Sequence, residues 1–352
     1  MQVGEITKDW LRSVLNWPIT DADEITVAPL SLSNGAMGGV YRVRCADRAF
    51  VFKCPPSADS PWYRVCSEMG LLDREIEIYR FFGVGERRKI APECYWSRLM
   101  SEGSSALALQ DLCQAGRVMD RFVRGLNRNE AVAALRTLAT LHGVLPTIDG
   151  DARASPLPWL GPASSDGLAA AITEGLSVVP SLVETMFPDN FPREHFSRIR
   201  QIDIPRVVAR SHCGSKLLSL CHGDCWSSNV LFTSRLGCDG MGAMLVDWQF
   251  AMWGNPLSDV ALLLLSSLSP AGRRAWVDDL LTCYHLQLTK DVAGYSLDDC
   301  YHDFSKAMPF AALVATATLD AYTCGLTKPE LRHIAMRMEA IIDEIPELFV
   351  VS

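Results

Sequence analysis

Residues 49–54, AFVFKC, set a lysine inside a run of apolar and aromatic residues. Such a run reads as a strand, and the alternation of side chains along it brings Lys53 to the edge of a core. A buried ammonium is costly unless an acid meets it, so a fold that contains this strand must deliver a carboxylate to Lys53. The next helical segment offers two candidates. LLDREIEIYRFF at 71–82 reads as a helix ending at Gly83, and it carries Glu75 and Glu77. Glu75 is the expected partner, because it lies four residues before Tyr79 and shares with it a face that packs inward. A Lys53 that snorkels to water beside a surface glutamate is the plainer alternative.

The rest of the N-terminal pattern is β-rich. Residues 5–17 place Ile6, Trp10, Val14 and Trp17 near one helical face, which predicts an opening amphipathic helix. ITVAPL at 25–30, VYRVRC at 40–45 and AFVFKC then predict an antiparallel meander, broken by SLSNGAMGG and by Ala46-Asp47-Arg48, and ALALQDL at 106–112 predicts a further strand. Beyond residue 116 the pattern turns helical, starting with 129–143, where Val132, Leu135, Leu138 and His142 recur at helical spacing and Gly143 ends the run. No further sheet of any size is expected there. The Pro-, Ser- and Gly-rich stretch at 149–167 reads as a long loop inserted within this second region, and Arg193, Arg198, Arg200, Arg206 and Arg210 as a solvated helical face.

With 352 residues, 49% of them hydrophobic, the chain has material for two domains or one large one. A net charge of −8 disfavours nucleic acid and a polybasic membrane anchor as partners. The longest uninterrupted apolar stretch, VALLLL at 260–265, is far short of a bilayer span, and no basic segment precedes a long apolar run near the N-terminus. We therefore expect no membrane insertion and a cytoplasmic location. Twelve cysteines without a CxxC pair read as reduced thiols. Cys221 and Cys225 flank His222, but the tight spacings of a zinc site are missing.

CHGDCWSSNVLF at 221–232 and MLVDWQF at 244–250 complete the pattern. The first places Asp224 five residues before Asn229; the second places Asp247 at the end of an apolar strand. The glycine turn at 31–39 is followed by a strand, not by the helix a dinucleotide fingerprint requires. On its own it reads first as an ordinary hairpin turn. Taken in order, a glycine turn (Gly35, Gly38, Gly39), a strand lysine, a helix glutamate, an Asp-x4-Asn loop and a strand-terminal aspartate form the working set of phosphoryl transfer. In that chemistry Asp224 orients an acceptor hydroxyl and takes its proton, Asn229 and Asp247 offer hard oxygens to Mg2+, and Lys53 holds phosphate.

HGDCWSSN, together with REIEIY, PECYW at 92–96, LALQDL, the LATLH helix and VDWQFAMWGNPLSD at 246–259, resembles the protein-kinase-like small-molecule kinases of aminoglycoside and choline kinase type, most closely their ecdysteroid-kinase-like branch. The resemblance implies an α+β, two-lobed protein-kinase-like fold: a β-rich nucleotide-binding lobe at 1–112 that includes the helix 71–82, and a helical lobe at 113–352 with the catalytic loop 222–229 and the metal ligand at 247. It implies ATP and Mg2+ as cofactors, a hinge near 109–113 including Gln110 and Leu112 whose backbone holds adenine, His222 as a brace of the catalytic loop, and Asp259 as that loop's anchor from the next helix. Gln110 stands where these families often carry an acidic residue. Trp248-Gln249 replaces the Phe-Gly of protein kinases.

Only eleven residues, WQFAMWGNPLS, separate Asp247 from Asp259. That is too short for the activation segment on which protein kinases seat a peptide. The expected acceptor is therefore a hydroxyl of a small molecule, with a lipophilic alcohol such as a steroid as the first reading. Apolar helices including 309–322, with Trp226 and Trp253, would wall its pocket, although those aromatics serve a core equally well. A cationic substrate of aminoglycoside or choline type and a catalytically silent nucleotide-binding protein are the alternatives.

Overall fold

A computed structural model describes residues 1–30, 38–56, 58–59, 63–83, 90–99, 101, 105–112, 123–163, 166–186, 202–233, 241–318 and 337. The chain divides into two compact units, Met1–Gln114 with Val246–Phe250, and Ala115–Leu245 with Ala251–Ser352. Asp247 follows residues 222–229 in sequence yet belongs to the first unit.

The first unit is built on a five-stranded antiparallel sheet. Its strands are β1 (Ile25–Pro29), β2 (Gly39–Cys45), β3 (Arg48–Cys54), β4 (Cys94–Arg98) and β5 (Ala106–Gln110), in the order β1-β2-β3-β5-β4. α1 (Lys8–Val14) is shorter than its sequence pattern: Thr7 caps it by accepting the Trp10 N–H, and Asn16 turns left-handed at φ 53° ahead of Pro18. Leu11, Trp17, Phe50 and Phe52 are buried in one cluster, against which Trp10 packs. Strand alternation therefore sends Lys53 to the opposite face. After α2 (Tyr63–Glu68), α3 spans Leu71–Phe82 and ends at Gly83 as expected, with Glu75, Ile76, Ile78, Tyr79 and Phe82 buried.

Helices dominate the second unit: α4 (Arg128–His142), α5 (Asp166–Met186), α6 (Ile204–His212), α7 (Leu257–Ser267), α8 (Pro270–Leu288) and α9 (Leu297–Ala317). A capping box, in which Asn127 accepts the Glu130 N–H and Glu130 accepts the Asn127 N–H, starts α4; such a cap is worth about 1 kcal/mol. All eleven residues of α7 are buried, and α4, α8 and α9 pack around it. α9 begins twelve residues before Pro309, where the sequence pattern started, and runs through that proline.

Small sheets occur here after all. β6 (Thr147–Ile148), β7 (Leu217–Cys221) and β10 (Met252–Gly254) form one, and β8 (Val230–Thr233) with β9 (Gly242–Leu245) another. Strands of two to five residues carry too little alternation to stand out in a sequence. They matter because residues 222–229 join β7 to β8, so both ends of that loop are held by ladders. Trp226 and Trp253 are core, 2% and 1% exposed, and Phe310–Ala317 are buried within the helical packing. Of the arginine-rich segment, Arg206 and Arg210 are exposed on α6; Arg193, Arg198 and Arg200 lie outside the described residues. No described helix is long and apolar enough to cross a membrane.

Candidate active site

Lys53 closes β3 and is 5% exposed. Its Nζ lies 2.7 Å from Glu75 Oε2 and 2.8 Å from Asp247 Oδ1. Burial works to lower the Lys53 pKa, but the Asp247 and Glu75 carboxylates outweigh it and the net shift is upward. Burial raises the Glu75 pKa, countered in part by Lys53. Glu77 instead sits 3.7 Å from Arg80 along the outer side of α3. The helix face chosen by Tyr79, which is 2% exposed, decides between the two glutamates.

Asp247 lies two residues beyond β9, not at the end of the strand, and is held at φ 66°. For a non-glycine residue this left-handed conformation is costly and is kept only where surrounding contacts impose it. Gly38 has φ 151°, and a Cβ there would come within 2.8 Å of the Cys54 carbonyl oxygen; at Gly39 it would meet the Tyr41 ring at 2.5 Å. Gly38, with its left-handed φ and a backbone atom in the way, demands glycine, whereas at Gly39 the Tyr41 ring would have to move. Gly35 lies outside the described residues. Gln110 ends β5, where its N–H bonds to the Glu93 carbonyl and its side-chain oxygen receives the Glu93 N–H. Asp111 takes a two-pronged ion pair from Arg42 of β2 at 2.7 and 3.0 Å, and Leu112 follows it in irregular structure.

In the second unit Gly223 turns the chain at φ 82° directly after β7. The Asp224 carboxylate is fixed by two neutral donors: Trp226 Nε1 reaches Oδ1 at 2.6 Å, and Asn229 Nδ2 reaches Oδ2 at 3.0 Å. Asn229 Nδ2 also bonds to the Asp224 carbonyl at 2.8 Å, which leaves Asn229 Oδ1 as that side chain's oxygen for a metal. His222 is fully buried and its Nδ1 accepts the Asp224 N–H at 3.3 Å. Beneath the loop, Asp259 of α7 accepts the N–H groups of His222 and Gly223 at 2.6 and 2.8 Å.

Asp259 is itself held. His142 Nε2 is 3.2 Å away, and His142 Nδ1 is 2.8 Å from the Tyr284 hydroxyl of α8. Burial acts against the charged Asp259, but the His142 hydrogen bond, the His142 and His222 rings and the Gly223 N–H prevail and hold its pKa below the usual range. His142 had a sequence signal, the LATLH run, yet was legible only as a residue on a helical face. Tyr284 had none. Cys221 and Cys225 are fully buried thiols whose pKa values burial pushes up, and among the described residues no three His, Cys, Asp or Glu side chains cluster to hold a metal. Asp247 in the first unit and Asn229 in the second each carry a hard oxygen of the kind Mg2+ prefers. Asp247 is 41% exposed and already faces a cation, the Lys53 ammonium.

Sheet, helical unit, paired lysine and braced Asp-Asn loop define a member of the protein-kinase-like superfamily of small-molecule phosphotransferases. The model of the ecdysteroid kinase-like family matches residues 42–148 and 181–295, more than half of the chain, and the chain belongs to that family. It is 23% identical to a probable ketoamine kinase of Lactiplantibacillus plantarum over 229 residues, 64% of this chain and 70% of that one. Among solved structures, an ethanolamine kinase of Plasmodium vivax superposes with a TM-score of 0.52 at 9% identity, covering 92% of this chain and 82% of the other. A spectinomycin phosphotransferase in complex with ADP and spectinomycin also gives 0.52, at 11% identity, with 97% of each chain covered. At these identities the two superpositions establish the fold.

Proposed function

We propose that this protein is an ATP- and Mg2+-dependent kinase that phosphorylates a hydroxyl group of a small molecule. The observation that carries the reading is the buried Lys53 gripped between Glu75 and Asp247, since a sheet has no structural need for so costly a group. Lys53 would neutralise phosphate charge, with Glu75 keeping its ammonium in place. Gly38 and Gly39, with Gly35 before them, would let backbone amides approach the phosphates, and the backbone of Gln110 and Leu112 would hold the adenine. Asp247 and Asn229 would be the metal ligands. ATP supplies the phosphoryl group, and Mg2+ offsets the charge on its oxygens. Asp224, aimed by Trp226 and Asn229, would accept the acceptor's proton as its oxygen attacks, while His222 and Asp259 keep the loop in register.

The acceptor reading rests on the segment after Asp247. Its eleven residues are used up by β10, which pairs with β7, and by buried Asn255, Leu257 and Ser258. Ser258, its one serine, is 2% exposed and bonds to the Asn255 carbonyl, so it is no candidate for a regulatory phosphosite. We place a hydroxylated lipophilic molecule of steroid type first, on family membership, and a cationic amino alcohol or aminoglycoside second. The test incubates the protein and γ-labelled ATP with hydroxylated steroids, amino alcohols, aminoglycosides and sugar ketoamines in parallel, and with a peptide library. A labelled small-molecule ester is the expected product. Labelled peptides with no labelled small molecule would overturn the reading.

A further inference from the structure

One residue of α3 holds the backbone that follows Asp247. Arg74 sends Nη1 to the Gln249 carbonyl at 3.1 Å and Nη2 to the Met69 carbonyl, just before α3, at 3.2 Å. The guanidinium thus ties the loop to the base of the helix. The Trp248 ring, fully buried, meets Phe82 at the other end of α3 edge-on, with centroids 4.9 Å apart. Gln249 is 2% exposed. Between these fixed points and β9, Asp247 is left in its left-handed conformation.

We propose that Arg74 is a positioning residue for the metal-binding carboxylate: by fixing the Gln249 carbonyl to the start of α3, it imposes the backbone that aims Asp247. This inference rests on the reading of Asp247 as a Mg2+ ligand. The geometry requires a clamp of this kind, because relaxation to an ordinary φ would swing the carboxylate away from where Lys53 and Glu75 define the site. The Phe82 contact alone cannot supply it, because it fixes the Trp248 ring and leaves the carbonyl of the next residue to Arg74. A guanidinium suits the task because its fork reaches two carbonyls at once, which an ammonium cannot do in the same geometry.

The test uses the full chain with Arg74→Met, which keeps an unbranched apolar stem, and Arg74→Lys, which keeps the charge. Thermal melts at saturating ATP give the Mg2+ concentration for half-maximal stabilisation, and hydrogen exchange on metal-free protein reports the amides of residues 246–250. We expect Arg74→Met to raise the Mg2+ midpoint about tenfold, the lower end of the cost of removing a group that orients a metal ligand. The same amides should exchange faster. Arg74→Lys should melt within a few degrees of the wild type without ligand yet keep a raised midpoint; it decides the matter if Arg74→Met does not fold. An unchanged midpoint in the folded variants, or a raised midpoint with unchanged exchange at 246–250, would overturn the clamp. A wild type whose ATP-dependent melt ignores Mg2+ would overturn the metal reading of Asp247, and the clamp with it.

Discussion

The two carboxylates to which we assign roles, Asp247 and Asp224, are held in opposite ways. Asp247 faces a cation, has a left-handed backbone and exposes 41% of its side chain. Asp224 is 6% exposed, and the two donors that fix its oxygens, an indole N–H and an amide N–H, are neutral. The difference matches the tasks we assign. A metal ligand can rest against an ammonium, since one cation prepares the site for another. A base that must take up a proton is better aimed by neutral dipoles, because a fixed positive charge beside it would oppose protonation. The support differs too: α3 holds the Asp247 loop within the first unit, whereas a buried carboxylate, Asp259, holds the Asp224 loop through its backbone.

The strongest attempt to break this contrast is Asp224→Asn. It keeps the size of the side chain and removes its basicity, so kcat should fall about 10²–10⁴-fold while calorimetry finds nucleotide affinity unchanged. A variant with half the wild-type turnover would remove Asp224 from the role of base. Asp259→Ala leaves two loop N–H groups and the His142 ring without their buried acceptor, and should cost about 3–5 kcal/mol in urea unfolding. A loss below about 1 kcal/mol would mean that the loop holds itself in place.

Acid sharpens the contrast from another side. His212 is fully buried, its Nδ1 accepts the Asn255 N–H at 3.2 Å, and burial lowers its pKa to about 4. The unfolded chain takes up this proton near pH 6.5 and the folded chain near pH 4. The stability the neutral ring contributes is therefore complete above pH 6.5 and is lost as the pH falls to about 4, by roughly 3 kcal/mol. Asp259, whose pKa is depressed, loses its contribution in the same direction at lower pH. His212→Asn keeps an acceptor and no titrating ring, so the difference in stability between variant and wild type should change over this window and be flat above it. Trp226→Phe is the mildest probe. It retains an aromatic ring but removes the Nε1 donor and part of the buried indole, and should lower kcat about tenfold with a stability loss of about 1–3 kcal/mol. An unaffected kcat would leave the indole as core packing alone.

Much of this arrangement was legible before any coordinates. The meander of β1 to β3, the limits of α3 and the demand of Lys53 for an acid follow from period, end signals and the cost of a buried charge. The loop from His222 to Asn229 was legible because its parts lie within eight residues. The hydrogen bond from Trp226 to Asp224 spans only two residues, but it depends on a rotamer that the core sets, and no local rule exposes it. Of the small sheets around the loop, the strand before Asp247 was legible, whereas β6 and β10 were missed because strands this short leave almost no periodic trace.

What the amino-acid sequence determined by itself is a set of local commitments: which segments are strands and helices, which residues can do acid, base or metal chemistry, and that Lys53 must be paired. These are decided by interactions within a few residues and by solvation, which a linear chain already expresses. Only the tertiary structure decided that Asp247 joins Glu75 on the lysine, that Asp259, His142 and Tyr284 form one buried chain under the loop 222–229, and that Arg74 reaches Gln249 across 175 positions. Those choices belong to the packed interior, where an unpaired polar group is too expensive to leave and the partner is whichever group the topology brings within reach.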